Sequence, residues 1–225
     1  HHRYETAARY RDDRRRRAGH LDPEASFEFA LWLLVDAADA GLVVRPYHRL
    51  ITSTGISVDA AIDALRVDAE VHAVDPTLGV AGMTTALGGS DDETACLLWT
   101  RGRAWRVAPR PGGAWQSRLP TGHSAAWLAL DVVAIDSLAV REAFGIEAAA
   151  EESGASHEVT RLRYTPDASE AIRQVEIGEA EVAILVRPVR VAQVCAVADA
   201  GDRMPPKSTY FHPKPVTGLV LNPLD

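Results

Sequence analysis

Apolar runs and polar breaks alternate along the chain, and their spacing predicts its elements. Residues 3–17 hold Ala7, Ala8 and several arginines and predict a helix that Gly19 stops. Residues 26–36 are rich in Phe, Leu, Trp and Val and predict a buried strand. A turn at residues 39–41 leads into a second strand at 42–44, broken at Pro46. Residues 57–67 form an amphipathic helix pattern, with Ser57 as N-cap and Asp59 in the first turn. Residues 69–74 alternate as a strand does, and residues 75–92, with Pro76 and several glycines, read as a loop. Residues 94–100 and 103–108 flank a hairpin turn at Arg101-Gly102. A Pro/Gly-rich loop covers 109–124, a helix closed by Gly145 covers 130–144, and an acidic, Ala-rich linker covers 147–157.

A denser pattern follows. Residues 159–164 predict a strand, and 167–174 a helix capped by Thr165 with Pro166 at its first position. Residues 182–186 predict a strand, 189–198 a helix and 218–221 a last strand. Such alternation implies an α/β or α+β protein, with a mixed sheet and helices packed on it. The linker suggests a division into residues 1–146 and 147–225, the second part a C-terminal α/β subdomain.

Composition narrows the function classes. The 225 residues are 47% apolar and 24% charged, ordinary for a globular protein with a real core. Net charge is -7, unevenly spread: seven arginines against Glu5, Asp12 and Asp13 give residues 1–20 a charge of +4, leaving -11 for the rest. An acidic body speaks against a nucleic-acid surface, although the basic start can attract phosphate locally. Cys96 and Cys195 sit in apolar runs, read as buried reduced thiols, and no Cys/His spacing suits zinc. The longest apolar run, residues 27–35 with Glu28 inside it, is too short to span a bilayer. With no leader or lipidation motif, the expected location is cytoplasmic, with no membrane partner. The chain opens on His1-His2 rather than Met, so more sequence is expected upstream.

The sharpest chemical signal lies near the C-terminus. The chain has 22 Arg but only two Lys, Lys207 and Lys214, in one segment. A compact ammonium approaches phosphate as a point charge, which a guanidinium does not. Pro205-Pro206 stiffens the approach, Ser208, Thr209 and Tyr210 add three hydroxyls, His212 adds an imidazole, and Pro213 and Pro215 stiffen the exit. Two readings stay open: a rigid loop for an anionic ligand, or a proline-bounded connection whose polar groups cap the final strand. Arg14 to Arg17 read as a solvated helix face, and His48-Arg49 as a strand-end hydrogen-bonding pair or a ligand contact.

Segment 204–219, Met-Pro-Pro-Lys-Ser-Thr-Tyr-Phe-His-Pro-Lys-Pro-Val-Thr-Gly-Leu, resembles the C-terminal signature of domain-of-unknown-function family 1015. His1-His2-Arg3-Tyr4-Glu5-Thr6-Ala7 resembles the family's central motif, Pro46-Tyr47-His48-Arg49-Leu50 a third block, and residues 164–178 a fourth. Family members carry a further N-terminal region and an Asp-Gly pair before the His-His motif, so the resemblance implies a chain incomplete at its N-terminus. The opening motif is also similar to the phosphate-binding motif of the ParB and sulfiredoxin-like fold, which would end within residues 1–146.

The resemblance implies a protein that binds a nucleotide or another phosphorylated small molecule, and a small-molecule kinase or phosphotransferase as the leading activity. ATP, ADP or CTP with Mg²⁺ is the expected cofactor. Lys207 and Glu5 are the candidate catalytic residues; Arg3, Lys207 and Lys214 can supply the cations. His1, His2, Arg3, His48, Arg49, Ser208, Thr209, Tyr210 and Lys214 are the candidate phosphate or ligand contacts. The alternatives are a ParB-like nucleotide-dependent regulator without catalysis and a phosphomonoester hydrolase with Ser208 as nucleophile and His212 as base.

Overall fold

The structure, a computed structural model, describes residues 2–20, 22–87, 93–146, 161–214, 216, 218 and 221. It divides into two compact units, His1–Val43 with His212–Asp225, and Val44–Phe211.

In the first unit, α1 (His2–Ala18) ends where Gly19 turns left-handed at φ 71°, as the sequence predicts. The helix is polar on all sides. Its arginines pair locally, Arg11 with Asp12 and Arg16 with Asp13, and Arg15 grips both carboxylate oxygens of Glu28. Glu28 ends a short 3-10 turn, Ser26–Glu28. The strand expected over residues 26–36 does not form. Beyond the turn the chain is irregular, and Leu31 to Val35 are 49–88% exposed. A strand needs a hydrogen-bonded neighbour and a covered face. Among the described residues no ladder includes this run; the Arg14 guanidinium lies 5.4 Å from the Phe27 ring centroid, and Trp32 meets Tyr4 with 5.6 Å between centroids.

β1 (Val43–Arg45) pairs with β8 (Tyr210–His212) in a two-stranded sheet. In the second unit, β2 (His48–Ile51), α2 (Val58–Asp68) and β3 (Ala69–Val74) are followed by a 3-10 turn and α3 (Gly79–Ala86). β4 (Cys96–Thr100) and β5 (Arg103–Pro109) make the predicted hairpin. Then come α4 (Ala125–Leu128) and α5 (Asp131–Ile135), which continues as a π-helical segment, Asp136–Ala143. β6 (Leu162–Thr165), α6 (Ala168–Glu176), β7 (Val182–Val186) and α7 (Val191–Asp199) complete the order.

Six strands form one sheet in the order β3-β5-β4-β7-β2-β6, and each pairing is antiparallel. The α/β or α+β class holds, but the ladder is not mixed. β6 and β7 do run parallel and are joined by α6, as the strand–helix–strand pattern suggests. β2 is inserted between them and pairs antiparallel with both. Strands from either side of residue 147 therefore share one sheet. The linker expected over 147–157 and half of the strand expected at 218–221 lie outside the described residues.

The middle of the sheet, β4, β7 and β2, is buried on both faces, which explains the uninterrupted apolar run of β7, whereas the edge strands β3 and β6 combine buried and exposed positions. In β7, Val182, Ile184 and Val186 face α2 and the α5 region, while Ala183 and Leu185 face α6. Each fully buried aliphatic side chain contributes roughly 1.5–3 kcal/mol. A third apolar cluster joins Trp127 of α4, Val132 and Val133 of α5, and Val197 of α7 to Met204.

Two further expectations are corrected. Residues 79–86 form α3 rather than loop: Asp75 caps the preceding turn with Pro76 at its first position, so the proline starts helical structure rather than breaking it. Cys195 is exposed, because α7 turns Val194 and Val197 inward and Cys195 outward. Cys96 is buried, and burial pushes its thiol up to about 12.

Candidate functional site

The residues that sequence reasoning singled out in the second unit converge around β2. Pro46 ends β1, and the chain re-enters as β2 between β7 and β6, where all four residues are buried. A buried strand that begins His-Arg must satisfy two polar side chains, and it does so by different means.

Arg49 is fully buried. Its Nε and Nη2 donate to the two carboxylate oxygens of Asp136, each at 2.7 Å, and Nη1 donates to the carbonyl of Tyr47. Burial works against the charge, yet the Asp136 carboxylate outweighs it and holds the guanidinium pKa above its ordinary value. Asp136 opens the π-helical segment, so that segment delivers the counter-ion to the sheet. The Arg49 guanidinium also lies 5.7 Å from the ring centroid of Tyr164, its cross-strand neighbour. Arg49 is therefore an internal clamp rather than an outward cation.

His48 is buried beside it and accepts a hydrogen bond at Nδ1 from the backbone N–H of Val186, at 3.2 Å. Burial, reinforced by the Arg49 charge, pushes its pKa down to about 4, against a pull upward from Asp167. The ring is neutral at pH 7, with its proton on Nε2.

The clamp sets the position of Tyr47, whose carbonyl it holds. The Tyr47 ring meets Tyr164 edge to face at 6.4 Å and Tyr210 edge to face at 5.6 Å. The ammonium of Lys207 lies 5.8 Å from the Tyr47 centroid. Three separate sequence blocks, at Tyr47, at Tyr164 and at Lys207 to Tyr210, thus meet at one aromatic cluster.

The loop that brings Lys207 there is anchored at one end by buried Met204 and at the other by Tyr210. Lys207 is exposed and has φ 52°, making it the non-glycine residue with a left-handed backbone among those described. That conformation costs on the order of 1 kcal/mol for a side chain with a Cβ. The next residue turns inward: Ser208 is 2% exposed, and its hydroxyl oxygen has no hydrogen-bond partner. Leaving a buried hydroxyl unmet costs roughly 1–3 kcal/mol. Thr209 is half-buried beside it. Two neighbouring residues thus hold unfavourable local states at the rim of an aromatic cluster.

The other nominated residues are placed elsewhere. Glu5, half-buried on α1, and Lys214, exposed, belong to the first unit. His1 lies outside the described residues, as do the side chains of His2 and Arg3. Sequence reasoning missed Tyr47, Tyr164 and Asp136. The two tyrosines carried a signal, since each begins or sits within a quoted block; Asp136 carried none, because only the folded helix brings it to Arg49.

A cavity of about 480 Å³ lies elsewhere in the second unit, lined by Glu70, Glu93, Thr94, Trp115, Gln116 and Leu130 among others, and by none of the nominated residues. Among the described residues, no three His, Cys, Asp or Glu side chains gather to hold a metal ion, and no helix is long and apolar enough to cross a membrane.

The family model described as "Protein of unknown function (DUF1015)" matches residues 1–133, ending before the segment 204–219. No curated protein matches. Among solved structures, the chain is similar to a conserved hypothetical protein from Pyrococcus furiosus, with 15% identity over 80% of this chain and a TM-score of 0.41. The chain spans 60% of the length of that protein.

Proposed function

We propose that this chain, which belongs to the DUF1015 family, binds a phosphorylated small molecule at the Lys207–Ser208 loop. The observation that carries the reading is the Ser208 hydroxyl, buried and without a partner, beside a lysine in a left-handed backbone. Backbone strain and an unmet polar group in one loop are the marks of a site whose geometry is completed by something else. A phosphate oxygen would accept a hydrogen bond from the Ser208 hydroxyl, while the Lys207 ammonium would meet the charge of the group. Tyr47, Tyr164 and Tyr210 would wall the ligand's organic part, and Arg49 would hold that wall from behind.

Transfer of the phosphoryl group is the further proposal. A Mg²⁺ nucleotide brings most of its own metal ligands as phosphate oxygens, so the lysine and the hydroxyls suit it without a carboxylate cluster. Lys207 would bind and neutralise, and a base would still be needed. The hydrolase alternative fares worse, because the Ser208 oxygen has no base within hydrogen-bonding distance to take its proton. The ParB-like regulator rests on His1, His2 and Arg3 alone, and no described side chain favours it. Free thiols at Cys96 and Cys195 suit a reducing compartment, and the cytoplasm is the location we propose.

Isothermal titration tests the reading directly. Inorganic phosphate, ATP, ADP and CTP, the nucleotides with Mg²⁺, would be added at constant ionic strength. At least one should bind, and Lys207→Ala and Ser208→Ala should each weaken it by about tenfold, the effect of one charge-assisted hydrogen bond. Silence with all four ligands would sink the proposal.

A further inference from the structure

The cavity of about 480 Å³ shares no lining residue with the Lys207 loop, and its volume lies in the range of small-molecule sites. The sheet sets its position. Ala108, near the end of β5, forms part of the wall. Glu70 stands directly across from Ala108 on β3, and Glu93 and Thr94 lead into β4 on the other side of β5. Trp115 and Leu130 are buried and supply apolar surface. The protein ties these walls down itself. The Arg110 guanidinium donates to the carbonyls of Arg66 and Val67 at 2.8 and 2.9 Å. The Arg110 carbonyl accepts from the Gly113 N–H at 3.2 Å and from the Trp115 indole N–H at 2.9 Å. The turn that carries Trp115 is thereby held to the end of α2, and the cavity is preformed.

Donors and acceptors on its wall are unequal. Thr94 Oγ1 donates to Asp131 at 2.9 Å, and the Trp115 indole is committed to Arg110, so the Gln116 amide holds the remaining side-chain donors of the lining. Against it stand the carboxylates of Glu70 and Glu93 and the Thr94 oxygen, all acceptors. Among the described residues no Lys, Arg or His lines the cavity. Arg106 neutralises Glu93 at 2.6 Å from outside the lining, and the His72 imidazole is 3.8 Å from Glu70. The excess negative charge of the wall therefore belongs to Glu70. We propose that this cavity binds a small organic cation, a primary ammonium on an apolar body. An ammonium has three donors and no acceptor, which complements this wall. Its charge meets Glu70, and its body rests against Trp115 and Leu130. An anion of the same shape would meet like charge.

Three probes of one shape separate charge from size: benzylamine, benzyl alcohol and benzoate. Each is titrated to about 20 mM into the ¹⁵N-labelled chain at pH 7 and constant ionic strength. Benzylamine should bind in the millimolar range and shift the Trp115 indole and Gln116 side-chain amide signals. Benzyl alcohol should bind about tenfold more weakly, and benzoate should give no shift. Glu70→Gln, at an exposed position, should reduce benzylamine to the level of benzyl alcohol. Ala129→Trp, on the exposed rim, should fill the cavity and abolish binding of both. Inorganic phosphate should not displace benzylamine, which separates this site from the Lys207 loop. Absence of shifts with benzylamine overturns the proposal. So does equal binding of the three probes, so do shifts that leave Trp115 and Gln116 untouched, and so does a Glu70→Gln variant that binds benzylamine as the parent chain does.

Discussion

Val182–Val186 and residues 31–35 are both unbroken apolar runs of five, and they meet opposite fates. β7 sits between β4 and β2, hydrogen-bonded on both edges and covered on both faces, and its five residues are at most 1% exposed. Residues 31–35 belong to no ladder among the described residues and are 49–88% exposed, with Trp32 resting on Tyr4. Composition states how strongly a segment needs burial; only the rest of the fold states who supplies it. The same distinction separates the two polar pairs. His48-Arg49 is locked inside the sheet with every charge answered, whereas Lys207-Ser208 lies in a loop with one hydroxyl unanswered.

The sharpest way to break the comparison is to place one charge in each run. Ile184→Asp should cost more than about 4 kcal/mol and unfold the second unit, because a buried carboxylate there has no partner. Leu34→Asp should change the stability of the single chain by less than about 0.5 kcal/mol. Urea unfolding of both variants checks the pair. Next in size is Asp136→Ala, which strands a fully buried guanidinium and should cost about 3–4 kcal/mol in the same assay.

His48 gives a pH-dependent version of the contrast. Its folded pKa of about 4 lies below the unfolded value near 6.5, so the unfolded chain binds the extra proton first. The stability it contributes is complete above about pH 6.5 and is lost as pH falls toward 4, a change on the order of 3 kcal/mol. His48→Gln should flatten that part of the stability–pH curve; an unchanged slope would refute the buried neutral ring. The smallest effect has the opposite sign. Ser208→Ala removes a hydroxyl that nothing answers and should stabilise the protein by about 1 kcal/mol while weakening phosphate binding. A loss of stability would show that the hydroxyl has a structural partner.

Much of the second unit was legible in the sequence. Residues 69–74 and 182–186 are the observed β3 and β7, and the Arg101-Gly102 turn stands, because period-two alternation in the first, a short apolar β-branched run in the second and a glycine at φ 72° are local signals. β2 was obscured by its own polar head, since a strand opening on His48-Arg49 declares itself buried only when Asp136 and Val186 are in place. α3 was hidden by glycines that usually mark loops, and the run at 26–36 was misread because apolar content stood in for a partner. The Lys207 loop was found from residue usage, and Tyr210 with it. Tyr47 and Tyr164 were not, since the aromatic contact joins positions over a hundred residues apart.

The strand order also governs how the protein is made. On the ribosome, β2 and the β4–β5 hairpin emerge early, but in the finished sheet β7 lies between β2 and β4. From Pro109 to Val182 the nascent chain carries the β3-β5-β4 ladder with the open apolar edge of β4, and a β2 that still lacks β7. At ordinary synthesis rates that interval lasts on the order of ten seconds. A protein built this way depends on whatever shields those edges until its central strand arrives.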